Sequence, residues 1–302
     1  MQAPSVISPA ATASPRAMIH DYVELTKPRL STLSVVTALV GYYAARPPFS
    51  FWEPFYLLLG TGLAAGGVAA LNQWMESETD ARMQRTADRP IPAGRVATGS
   101  AFVLGAGMCM AGLAVLFGKI NGVCAIFALL TYVFYLAIYT PAKKLSRWST
   151  EIGAVAGALP PLIGAAAADN GISPLSWALF GILFFWQIPH FMAVAWTYRR
   201  DYAAVNFPLL PVIDTGGARV ARWSLINAVL LVAVSVWPAL TGWCSRAYLG
   251  VALALGAWLL WRAVVFLRPE TRDTAARKLF FATIIYLPLL LGALVADRLI
   301  FR

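Results

Sequence analysis

Residues 71–95 read LNQWMESETDARMQRTADRPIPAGR, between two stretches built almost wholly of hydrocarbon side chains. FYLLLGTGLAAGGVAALN (55–72) precedes them and AFVLGAGMCMAGLAVLFG (101–118) follows. Each flank is long enough to cross about 30 Å of hydrocarbon as a helix, which takes roughly 20 apolar residues. The charged stretch is then the turn-round between two membrane spans, and its charges need a reason.

The same pattern runs down the chain. Of its 302 residues 59% are apolar and only 13% charged, whereas a soluble domain carries about 25% charged residues. The excess must face lipid, where a backbone satisfies itself as a helix or a closed barrel. The long unbroken apolar runs predict helices, and nine spans are expected, at roughly 30–45, 55–75, 98–118, 121–140, 149–168, 175–197, 220–242, 246–267 and 279–296. The fold class is therefore all-α: a polytopic bundle of nine transmembrane helices, with residues 20–302 as a single membrane domain. Residues 1–19, rich in Ala, Ser and Pro, predict a flexible tail without the apolar core of a signal peptide.

Alternating through nine spans leaves only Arg46, Lys119, Arg246, Arg298 and Arg302 of the 24 cations on one side. By the positive-inside bias the crowded side, with the N-terminus, is cytoplasmic, and a bacterial cytoplasmic membrane is the expected location. The net charge of +10 then reads as topology plus anion handling, not as a nucleic-acid footprint. Cys109, Cys124 and Cys244 stand singly, without the paired spacing of a metal or disulfide site.

Polar groups collect on the crowded side. In the opening stretch Asn72, Glu76 and Asp80 are spaced i, i+4, i+8, so a helix lines them along one face. Stacked oxygen donors repel one another unless a cation lies among them, and hard oxygen ligands with an incomplete shell suit Mg²⁺ shared with substrate phosphate. Arg82, Arg85 and Arg89 follow at once, and guanidinium forks match phosphate oxygens. The pattern predicts a Mg²⁺–diphosphate site. The plain alternative is a solvated connector whose ion pairs contribute little.

Two further segments join it. In WQIPHFMAVAWTYRRDYAAVNFPLLPV (186–212), Gln187 and His190 lie inside the expected sixth span, where polar groups are costly and often functional. Pro189 is expected to open the helix beside them, and Asp201 and Asn206 offer oxygen donors at the same rim. A packing histidine and an Asp201–Arg199 or Asp201–Arg200 pair are the plain alternatives. In YTPAKKLSRWST (139–150), Tyr139 marks the interface and Lys143 and Lys144 lie just outside, as clamp cations or as simple topology anchors. Gly153, Gly157 and Gly164 are expected to let helices approach, and Pro160 and Pro161 to kink the fifth span.

The run from Asn72 to Arg95 resembles the first acidic motif of the UbiA superfamily of intramembrane prenyltransferases, with Glu76 where the general pattern has Asp. YTPAKK…GAVAGALPPLIG (139–164) and FFWQIPHF…DYAAVNFPLLPV (184–212) are similar to the second and third signatures of the branch that farnesylates heme. ELTKPRLSTLSVVTALVGYY (24–43) is similar to its first span, and the likeness runs from about residue 20 to residue 300. Lys144 stands where that branch often has Arg, Ser149 where it often has Asn, and Val205 leaves Asp201 without a second carboxylate. The resemblance implies a central cavity under a polar cytoplasmic cap, and farnesyl transfer from farnesyl diphosphate to a vinyl group of heme B, with heme as substrate rather than prosthetic group. It implies Mg²⁺ on Asn72, Glu76, Asp80 and Asp201, with Arg85, Arg89, Lys143 and Lys144 as cations. Tyr139, Trp186, Gln187, Tyr202 and Asn206 are expected against the substrates, and His190 near the heme. A heme A synthase or an oxidase-assembly factor is a candidate partner. The rival readings are prenylation of an aromatic acceptor such as 4-hydroxybenzoate and, more remotely, secondary transport.

Overall fold

The computed structural model describes residues 15–169 and 172–301. Among the described residues the chain is helical with no strands. In order the helices are α1 (Pro15–Leu25), α2 (Pro28–Ala44), α3 (Trp52–Asp80), α4 (Thr98–Lys119), α5 (Gly122–Tyr132), a π-helical segment (Val133–Tyr139), α6 (Thr140–Leu145), α7 (Ser149–Ala158) and α8 (Pro160–Asp169). They continue with α9 (Pro174–Thr197), α10 (Arg199–Ala204), α11 (Leu210–Ile213), α12 (Ala218–Leu240), α13 (Arg246–Phe266) and α14 (Arg272–Ile300).

Among the described residues eight helical stretches are long and apolar enough to cross a membrane, one fewer than expected. The remaining expected span is α2, whose 17 residues reach about 26 Å at 1.5 Å per residue. That is short of a full hydrocarbon core, although α2 packs inside the bundle against α3, α8 and α14. α1 begins at Pro15, within the stretch 1–19 expected as a tail; residues 1–14 lie outside the described residues.

Two spans are broken. The fourth runs from α5 through the π-helical segment into α6, and the fifth bends at Leu159, before Pro160 and Pro161. Pro189 does not break its helix: α9 runs continuously through it. Tight packing is set by small residues. A methyl on Gly67 would meet the Cys109 amide nitrogen at 2.7 Å, so α3 and α4 touch through their backbones. Gly164 lets α8 press on the backbone of Ala38 in α2, whereas Gly153 and Gly157 give room to the side chains of Tyr139 and Gln187.

The core runs between α9, α12, α13 and α14, with a second cluster where α2, α5 and α8 meet. On α4 the side chains of Val103, Met110 and Phe117 face outward, as lipid contact requires. The three cysteines are buried and free. α3, α6 and α9 all end, and α4, α7 and α12 all begin, at one end of the bundle, and the three polar segments meet there.

Candidate active site

α3 has 29 residues, more than a span needs, so its last turns carry polar residues past the apolar part of the helix. On those turns Asn72, Glu76 and Asp80 form one buried face, as their spacing predicts. The chain then folds back over the helix end. The Thr86 hydroxyl donates to the Asp80 carbonyl at 2.9 Å, and Met83, Thr86 and Ile91 are buried. This turn-rich loop holds Arg85 and Arg89 over the opening of a cavity.

The cavity encloses about 1050 Å³, its open mouth included. Of the residues singled out in the sequence it brings together Asn72, Glu76, Asp80, Arg85, Arg89, Tyr139, Lys143, Gln187 and Tyr202. They are already coupled. Lys143 Nζ donates to Glu76 Oε1 at 2.8 Å and Oε2 at 3.0 Å, and lies 4.5 Å from the centre of the Tyr139 ring. Arg89 Nη1 donates to Asp80 Oδ2 at 2.6 Å. Asn72 Nδ2 donates to Glu76 Oε2 at 2.9 Å and to Thr140 Oγ1 at 3.2 Å. The Arg85 guanidinium lies over Tyr202, 5.9 Å from the ring centre, and over Tyr198 at 5.6 Å.

The lining also includes Lys27, Tyr135 and Phe191, which were not expected at the site from the sequence, and Ser149, which stood out there only as a departure from the heme-farnesylating branch. Lys27 precedes Pro28 in a left-handed conformation (φ 46°), uncommon for a residue with a side chain. Its Nζ donates to Asn72 Oδ1 at 2.7 Å. Burial, then the like charges of Arg89 and Lys143, lower its ammonium from the usual lysine value to about 7. The one signal in sequence was a lysine directly before the proline that opens α2. The Ser149 hydroxyl is buried in the lining with no protein partner, which suits a group that bonds a ligand.

Five expected site residues do not line this cavity. Trp186 and His190 lie four residues apart on the face of α9 turned to α14, with rings stacked at 4.9 Å. Trp186 Nε1 donates to the Thr283 carbonyl at 2.7 Å, and His190 Nδ1 pairs with Thr283 Oγ1 at 2.8 Å. Gln187 and Phe191, each one residue on and so about 100° round the helix, face the cavity instead. His190 thus lies against Trp186 and Thr283, outside this lining. Lys144 is exposed for the same reason, one residue beyond Lys143. Asp201 is half-buried on α10 beside the lining Tyr202, and Asn206 is exposed at φ 56° after that helix.

The donors fit a divalent cation in part. Asn72, Glu76 and Asp80 present hard oxygens from successive turns into one cavity, the chemistry Mg²⁺ prefers. The same cavity gathers Lys27, Lys143, Arg85 and Arg89 against only two carboxylates, leaving an excess of positive charge for a multiply charged anion.

A second, apolar cavity of about 650 Å³ adjoins the first, and Lys27, Leu30, Tyr135 and Gly157 line both. Its walls include Ala64, Val68, Ala128, Tyr132 and Ile163. A charged head and a hydrocarbon tail can therefore occupy the two cavities at once.

Residues 34–285 match the model of the UbiA prenyltransferase family. The chain is 63% identical to protoheme IX farnesyltransferase of Opitutus terrae over 96% of its own length and 98% of that protein. It is 42% identical to the protein of the same name from Solibacter usitatus, over 93% and 99% of the two chains. Among solved structures it resembles a digeranylgeranylglyceryl phosphate synthase, with a TM-score of 0.78 at 17% identity over 93% and 98% of the two chains. A UbiA homolog from Archaeoglobus fulgidus bound to GPP and Mg²⁺ superposes with a TM-score of 0.65 at 12% identity, covering 91% of this chain and 99% of that one.

Proposed function

The chain belongs to the UbiA prenyltransferase family, and from that premise we propose that it transfers a farnesyl group from farnesyl diphosphate to a vinyl group of heme B. The farnesyl C1–O bond breaks and diphosphate leaves with its electron pair. C1 bonds the terminal vinyl carbon, water adds its oxygen to the inner vinyl carbon and gives up a proton, and the product is heme O. The relatives that match over nearly the whole chain carry the name of that activity. The observation that carries the reading is the junction of the two cavities: an excess of cations where a diphosphate would lie, opening at Lys27 and Tyr135 onto hydrocarbon walls.

The residues divide the work. Lys27, Arg85, Arg89 and Lys143 bind the diphosphate and are oriented in advance by their carboxylate, amide and ring partners, so they stabilise the departing charge without reorganising. Asn72, Glu76 and Asp80 would hold Mg²⁺, with Asp201, next to the lining Tyr202, as the proposed fourth oxygen donor. When bound, the ion supplies Lewis-acid neutralisation of the leaving group. Tyr135 and Tyr139 line the charged cavity, where their rings would stabilise the allylic cation, and the apolar cavity would keep bulk water from it. Gln187 and Ser149 offer polar contacts to the acceptor side.

We place the protein in a bacterial cytoplasmic membrane with its charged end, and so its N-terminus, in the cytoplasm. The support is the concentration of cations at that end. Secondary transport is disfavoured because the polar groups gather at one end rather than near the midplane where such carriers bind. Mass spectrometry of hemes after incubation with heme B, farnesyl diphosphate and Mg²⁺ tests the reading. A Mg²⁺-dependent hydroxyethylfarnesyl heme, lost in Asp80→Asn, is expected. Prenylation of 4-hydroxybenzoate with no heme product would keep the clamp and overturn the acceptor.

A further inference from the structure

The charged end of the bundle holds a second polar concavity, separated from the first by the opening turn of α7. Ser149, Thr150 and Gly153 face the catalytic cavity, whereas Trp148 and Glu151, with Arg147 just before them, face a cleft on the other side. α12 forms the opposite wall with Arg219, Arg222, Trp223 and Ile226. These are spaced i, i+3, i+4, i+7 and so make a single stripe along the helix. The cleft encloses about 730 Å³, its open mouth included.

Its chemistry is that of an amphiphile site. Trp148 and Trp223 meet edge to face at 5.8 Å, and the Arg147 guanidinium lies 4.7 Å from the centre of the Trp148 ring. Among the described residues no guanidinium of Arg147, Arg219 or Arg222 forms a salt bridge; the nearby Asp214 carboxylate accepts instead from the backbone amides of Arg219 and Val220, at 2.6 and 3.0 Å. The one acid of the cleft, Glu151, accepts from Trp223 Nε1 at 2.6 Å through Oε1, while Oε2 is buried with no donor. Three cations against one carboxylate call for an anion, and the orphan oxygen calls for a hydroxyl donor on the same ligand. The outer walls, Trp148 and Ile226, are exposed apolar side chains at the level where spans give way to charged loops. Cations that only fix topology act through their place in the loop. Here two segments some 70 residues apart converge on one cleft with an aromatic floor.

We propose that this cleft binds the headgroup of an anionic membrane lipid. Its phosphodiester is held by Arg147, Arg219 and Arg222, a headgroup hydroxyl donates to Glu151 Oε2, and the glycerol backbone lies on the two indoles. Basic pockets between spans at a charged membrane face take such headgroups, and a glycerol phospholipid headgroup supplies both the anion and the hydroxyl.

Native mass spectrometry of the full chain in detergent tests this, with phosphatidylglycerol, phosphatidylcholine and inorganic phosphate as separate probes. Phosphatidylglycerol is expected to bind in preference to phosphatidylcholine. The triple variant Arg147→Gln, Arg219→Gln, Arg222→Gln should weaken its binding about tenfold or more, with affinity for farnesyl diphosphate unchanged. Should the triple variant not fold, Ile226→Trp fills the cleft without altering its charge and is expected to lower lipid binding likewise. Equal binding of phosphatidylcholine, or unchanged phosphatidylglycerol binding in a folded triple variant, would overturn the proposal. Displacement of the lipid by millimolar inorganic phosphate would also overturn it, leaving a site for free phosphate.

Discussion

Lys143 Nζ bonds both carboxylate oxygens of Glu76, at 2.8 and 3.0 Å, across 67 residues of sequence and inside the cavity wall. The two side chains come from the end of α6 and from α3, so their pairing closes the gap between the fourth span and the second. A buried pair of this kind fixes geometry more than it adds stability, because desolvation offsets much of the attraction.

Breaking that pair is expected to be costly from either side. Lys143→Met or Glu76→Gln alone leaves a buried charge without its partner, a loss of about 3–5 kcal/mol, and each abolishes farnesyl transfer. The double variant should recover much of the thermal stability and none of the activity. Thermal unfolding in detergent, run beside the heme assay, separates the two effects.

In the reaction proposed above Lys27 is a fourth clamp cation, although it lies 45 residues before its hydrogen-bond partner Asn72. Lys27→Met is expected to lower turnover by roughly 10²–10³-fold, the usual effect of losing one preorganised donor to a developing anion. Arg29→Met, two residues on and exposed, should leave the rate near wild type. Single-turnover release of diphosphate measures both.

The contrast between these cations marks what was legible beforehand. Asn72, Glu76 and Asp80 lie on one α-helix, and the 3.6-residue period alone puts them on one face. Lys143 and Lys144 follow a π-helical segment, so their phase cannot be carried forward from the apolar pattern of α5, and only Lys143 turns inward. Lys27 needed a contact between α2 and α3 and a left-handed residue that the sequence does not announce. Gln187 and His190 were both visible as polar groups within a span. Which of them faced the cavity depended on α14, nearly a hundred residues away, taking the other side of α9. The eight longer spans followed from hydropathy, whereas the short α2 is held by neighbours rather than by length.

Gly153 is a site residue by virtue of having no side chain. A methyl there would meet the Tyr139 ring at 2.7 Å, and the ring would have to leave its place over Lys143. Gly153→Ala is expected to cost about 1–3 kcal/mol of stability and to reduce kcat more than it raises KM for farnesyl diphosphate. Steady-state kinetics at varied donor concentration distinguishes this from simple misfolding, which would scale kcat alone.

His190 is expected to be a packing residue. His190→Ala removes the hydrogen bond to Thr283 and the stack on Trp186, so Tm should fall. The KM for farnesyl diphosphate should stay within about twofold of wild type. A loss of heme binding in folded His190→Ala protein would return the residue to the reaction.

Metal dependence separates Asp80 from Asp201. Asp80 is buried in the lining and paired with Arg89. Asp201 stands outside the lining, one residue from Tyr202. If both complete the shell of one bound cation, Asp201→Asn should raise the Mg²⁺ concentration for half-maximal activity and be restored by excess Mg²⁺, whereas Asp80→Asn should stay without heme product at any Mg²⁺ concentration. The reason is that a hard cation loses more from a buried carboxylate it shares with a fixed helix than from one at the rim, where water can replace the oxygen. Chelation followed by Mg²⁺ titration of the three proteins reads this directly. An unchanged Mg²⁺ requirement in Asp201→Asn would remove that residue from the shell and leave Asn72, Glu76 and Asp80 as the whole protein contribution.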